Sequence, residues 1–88
     1  MHAADRNMII LSNKQLYEAV KGTVAGLEER GTKDEADALR SALSVSSLPG
    51  ERLGEIRLAL QGIELGVLPE NMGHDIVSEM TYIDSVLD

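Results

Sequence analysis

The side chains in this sequence that can move protons or hold metals near neutral pH are fifteen carboxylates and two histidines, His2 and His74; there is no cysteine. That last absence excludes disulfides, thiolate metal sites and cysteine nucleophiles together. A serine triad needs a histidine held between nucleophile and acid. His2 lies in a polar opening stretch and His74 near the start of a helical segment, so neither completes one, and His74 reads as a surface residue. Glu70 and His74 stand four residues apart and share a helix face, as metal ligands do, but two ligands do not make a site and no Glu-x-x-His motif accompanies them. Hydrolysis by paired carboxylates requires one acid removed from water, whereas the spacing here puts most acids on outward faces. Lys14 with Glu18, Lys33 with Asp37 and Arg52 with Glu55 read as solvated helix pairs of about 0.2 to 0.5 kcal/mol each. Gly50 and Gly54 follow no strand and precede no Lys-Ser or Lys-Thr, so they meet neither a P-loop nor a dinucleotide fingerprint. No enzyme activity, cofactor or metal is expected.

The elements that carry these residues are helices. Ser12 with Gln15 makes a capping box, and Leu11 before the cap is placed to pack on Leu16 as a hydrophobic staple. Leu16, Val20, Val24 and Leu27 then mark one buried face until Gly31 supplies a left-handed stop, which predicts a helix over 13–30. Thr32 with Glu35 forms a second capping box before Ala36, Leu39, Ala42 and Leu43, a helix over 33–44 joined to the first by a tight hairpin or corner. Ser44 to Ser47 then halts it. Pro49 and Pro69 open two further helices, over 49–63 and 69–87, with stripes Leu53, Ile56, Leu60, Ile63 and Met72, Ile76, Met80, Ile83, Leu87.

Eighty-eight residues suffice for one domain that buries roughly 60 to 65% of its unfolded surface. Without Phe or Trp, and with only Tyr17 and Tyr82 as aromatics, the core must be aliphatic. The fold class expected is all-α, a four-helix bundle or compact four-helix array over residues 8–88, behind a flexible N-terminal arm at 1–7 that makes Met8 a candidate natural start. The apolar run Met8-Ile9-Ile10-Leu11 is too short for a signal-peptide core or a membrane span. A cytoplasmic location is expected, with no membrane association.

Residues 35–46 (EADALRSALSVS) followed by a new helix resemble the front of a bacterial helix-turn-helix repressor unit. That resemblance implies a DNA-binding regulator whose recognition helix begins near Pro49. The same helix sets Glu51 and Glu55 against Arg52 and Arg57 and so has no basic surplus to neutralise phosphates. No nucleic-acid partner is expected.

Charge is unevenly placed. The formal net charge is -7; residues 1–44 carry six basic and seven acidic side chains, and residues 45–88 carry two and eight. From Glu64 to Asp88 there is no Lys or Arg. Such a field repels nucleic acid and anionic lipid and steers a basic protein surface toward it. Leu58, Leu65, Val67, Leu68, Tyr82 and Val86 lie beside the main stripes and exceed what one thin core can cover. The reading is a small acidic, non-enzymatic protein-interaction module, self-associating as a homodimer and acting on a basic protein partner, as an inhibitor, immunity or antitoxin-like protein would. The alternatives are the DNA-binding regulator and a small helical subunit of an enzyme complex. The partner-binding residues proposed are Leu58, Asp75, Glu79, Tyr82, Asp84 and Val86, with the acids as a solvated rim and Tyr82 as an anchor.

Overall fold

The computed structural model of the chain describes residues 9–45 and 47–87; the arm expected at residues 1–7 lies outside them. The elements are α1 (Asn13–Glu29), α2 (Lys33–Ser44), α3 (Pro49–Gln61), a 3-10 turn (Leu65–Val67) and α4 (Glu70–Leu87). Among the described residues there is no strand.

Each helix end has a local cause. Ser12 Oγ accepts the Gln15 N–H at 3.2 Å, and Gln15 Oε1 accepts the Leu11 N–H at 2.7 Å. The expected box is thus present, with its return bond one residue earlier than Ser12. The staple is not: Leu11 is 77% exposed, and Ile10 packs against the core instead. At the other end of α1, Gly31 takes a φ of 82°. The Thr32 N–H then reaches the Leu27 carbonyl and the Gly31 N–H the Glu28 carbonyl, the paired bonds of a Schellman stop. Thr32 was expected to cap α2 with its side chain. Its hydroxyl instead donates back to the Leu27 carbonyl at 2.8 Å, the same oxygen that accepts the Thr32 N–H, because the turn brings it within reach. Asp34 and Glu35 in the first turn of α2 still suit the positive end of the helix dipole.

Pro49 occupies the first turn of α3, and the helix stops at Gln61, where the Gly62 N–H bonds the Leu58 and Ala59 carbonyls. Ile63 therefore lies beyond the helix end, although it remains buried. Pro69 stands just ahead of α4, its carbonyl accepting the Gly73 N–H.

Burial follows the predicted stripes on α1 and α3, where Leu16, Val20, Val24, Leu27, Leu53, Ile56, Leu60 and Ile63 are all buried. Ala36, Leu39 and Ala42 supply the α2 face. Helix α1 packs on α2 and α4, and α3 packs on the same two, so the four helices close into an array around one aliphatic core. The α1–α4 seam is antiparallel: Met72 near the start of α4 lies against Gly26 near the end of α1, and Tyr82 reaches back to Asn13. A Cβ at Gly26 would stand 2.9 Å from Met72 Cε, the far end of a flexible side chain that would have to shift slightly.

The surface ion pairs differ from those read from spacing alone. Glu18 meets Lys21, and Asp37 meets Arg40, which also reaches Glu28 across α1 and α2. Arg52 lies over the Tyr17 ring, 5.0 Å from its centre. Among the described residues, no helix is long and apolar enough to cross a membrane.

Candidate functional site

The six residues singled out as a partner-binding set do not share one surface. Glu79 has no solvent exposure and sits in the α1–α4 seam, where Thr23 Oγ1 lies 2.8 Å from its Oε2. It is therefore not a solvated rim charge. The physical reason is a small rotation of α4: the buried face is centred on Ile76, Glu79 and Ile83, with Met72 and Met80 half-buried beside it and Leu87 at 40% exposure. Burial, opposed by the Thr23 hydrogen bond and reinforced by the nearby Asp75 charge, pushes the Glu79 pKa up to about 7. Asp75, one turn earlier, also has its pKa raised, by partial burial first, with His74 pulling it back.

Tyr82 is half-buried, and its hydroxyl donates to Asn13 Oδ1 at 2.6 Å, which ties the end of α4 to the start of α1. Its polar tip is engaged inside the fold rather than offered outward. Asp84 faces α3, its Oδ1 3.0 Å from Arg57 Nε. This is an ion pair, although the N–H is not aligned as a hydrogen bond. Val86 and Leu58 are exposed, at 46% and 63%.

Leu58 belongs to a groove between α2 and α3 that the charge map of the sequence did not single out. Small residues open it: Ala38, Ser41 and Ala42 on α2 and Ala59 on α3 leave a shallow channel of about 300 Å³. Two large apolar side chains stand over it, Leu58 and Val45, the latter 56% exposed. Glu55 lines the same groove, which continues past Gly54 to Glu51. Among the described residues, its lining contains no Lys or Arg. The result is an apolar strip with carboxylates on its α3 edge. A second furrow, on the far end of α4, is lined by Ile9, Ile10, Val77, Thr81, Tyr82 and Ser85.

The groove occupies the very helices that resemble a helix-turn-helix. On α3 both arginines have partners, Arg52 over the Tyr17 ring and Arg57 beside Asp84, while Glu51 and Glu55 are exposed. Among the described residues, no group of three or more His, Cys, Asp or Glu side chains converges as a metal site requires. The arrangement offers shape and charge to a ligand. Comparison with protein-family models, curated proteins and solved structures finds no match to this chain.

Proposed function

We propose that the protein is a small acidic, non-enzymatic interaction module whose α2–α3 groove receives a basic, amphipathic segment of a protein partner. The carrying observation is that Val45 and Leu58 stand exposed over one channel whose rim holds Glu51 and Glu55 and, among the described residues, no cation. Apolar anchors entering such a strip would supply affinity, and lysines or arginines flanking them would meet the carboxylates. An inhibitor, immunity or antitoxin-like role against a basic enzyme suits that surface. A cytoplasmic setting accords with the cysteine-free composition.

A DNA-binding role is less well supported, because the arginines of α3 are engaged with Tyr17 and Asp84 and the exposed charge is negative, which phosphates repel. A homodimer pairing this groove with itself would face carboxylate toward carboxylate. The furrow at Ile9, Val77 and Tyr82 is the better place for a second copy, and sedimentation of a Val77→Glu variant tests it.

The function is tested by NMR mapping with a synthetic helical peptide of about five turns, leucines on one face and lysines on the other. The expected shifts cluster at Ala38, Val45, Leu58 and Ala59. Equal binding of a peptide with glutamates in place of lysines, or shifts confined to other helices, would refute the reading.

A further inference from the structure

The α1–α4 seam contains an acid for which the docking groove has no use. Glu79 is fully buried, and its Oε1 meets no protein donor among the described residues. Thr23 Oγ1 lies 2.8 Å from Glu79 Oε2 and 3.3 Å from the Ala19 carbonyl oxygen. A hydroxyl has one proton to give. When Glu79 is ionised, Thr23 must choose between the carboxylate and Ala19, and a bare charge stays in the core. When Glu79 is protonated on Oε2, the acid donates to Thr23 and Thr23 donates to Ala19. Both contacts are then used, and the core is neutral.

The surroundings reinforce this preference. On α4 itself, Asp75 adds a like charge one turn away, with His74 acting on Asp75. From α1, the buried face presents Thr23 among Leu16, Val20, Val24 and Leu27, while Glu18 and Lys21 are exposed and paired with each other. From α3, the buried residues are Leu53, Ile56 and Leu60, and Arg57 is held by Asp84. Among the described residues, no cation offsets a charge on Glu79.

We propose that the α1–α4 seam is a proton-operated latch: protonated Glu79 keeps α4 closed on α1, and ionisation of Glu79 loosens α4 so that water reaches the carboxylate. Desolvation places the Glu79 pKa at about 7, against an ordinary 4.5, so the latch operates close to neutral pH. Between those two values the folded chain holds a proton that the unfolded chain has released. Closure is therefore fully favoured below the lower value, weakens as pH rises through the window, and levels off above the upper one. The inference is independent of the docking groove, which lies between the other helices.

The test is a carbon-detected NMR titration of the Glu79 carboxyl in the full chain, with amide hydrogen-exchange protection of residues 76–83 measured at the acid and alkaline ends of the window. The expected results are a Glu79 midpoint near 7 and a loss of α4 protection on the order of a hundredfold across the window. Glu79→Gln should make that protection independent of pH, and Thr23→Val should move the midpoint higher by removing the donor to the carboxylate. A Glu79 midpoint in the ordinary carboxylate range would overturn the proposal without recourse to any variant. So would a Glu79→Gln chain with wild-type pH dependence, or a Thr23→Val midpoint that stays or falls.

Discussion

Leu58 and Leu60 are two residues apart on α3, yet the structure assigns them opposite roles. Leu60 is 1% exposed in the centre of the core, whereas Leu58 is 63% exposed over the α2–α3 groove. Full burial of a leucine side chain is worth about 1.5 to 3 kcal/mol, so the third of Leu58 that is covered contributes at most about 1 kcal/mol. Truncating Leu60 loses the whole transfer term and leaves a cavity that its neighbours Leu53 and Ile56 fill only in part. Leu60→Ala should therefore cost about 2 to 5 kcal/mol, and Leu58→Ala no more than about 1. Urea unfolding followed by circular dichroism measures both, with the slope of the transition showing whether the denatured state has changed. Equal losses at the two positions would mean that α3 is rotated from the face described. A neutral Leu60→Ala would mean that the core is not built on this helix.

Stability should fall by about 3 kcal/mol as pH rises from 4.5 to about 7, at about 1.4 kcal/mol per tenfold change in proton affinity; denaturation midpoints that rise over that range would contradict the burial of Glu79. Gly22 is exposed within α1 with open space where a Cβ would stand, so Gly22→Ala should raise stability by about 0.5 to 1 kcal/mol in the same unfolding assay. Tyr82→Phe removes the hydroxyl that binds Asn13 and should cost about 1 kcal/mol; no loss would show that this tie contributes nothing to the seam.

The helices and most of the core were legible in the sequence because aliphatic side chains recur with helical period, and because Ser12, Gly31 and Pro49 punctuate them with specific backbone chemistry. The errors are local competitions for hydrogen bonds and small rotations. Thr32 has two possible uses for its hydroxyl, and only the turn geometry shows that Leu27 claims it. Arg40 and Arg57 reach partners on other helices, which no spacing rule along one helix anticipates. Glu79 was hidden by its own chemistry. It lies three residues after Ile76 and four before Ile83, a stripe position by spacing, but a carboxylate is ordinarily read as solvated. Thr23, three residues after Val20, is the matching signal on α1: a hydroxyl on a buried face facing an acid on a buried face. The α2–α3 groove was harder to foresee, since it arises from small residues on two helices whose alignment depends on the turn between them. Leu58 stands out in the sequence as an apolar residue beside the main stripe of its helix, but nothing in the spacing sets its neighbours Val45 and Ala38 apart.

We propose above that the acidic α2–α3 groove docks a basic amphipathic helix. Titration calorimetry of the leucine–lysine peptide against wild type and Leu58→Glu at low ionic strength tests it most directly, because a substitution at this exposed position should leave the fold intact. Wild type should bind saturably and more weakly with added salt, and Leu58→Glu should lose at least tenfold, as placing a charge at an apolar anchor costs more than about 1.4 kcal/mol. Undiminished binding by a folded Leu58→Glu chain would contradict it.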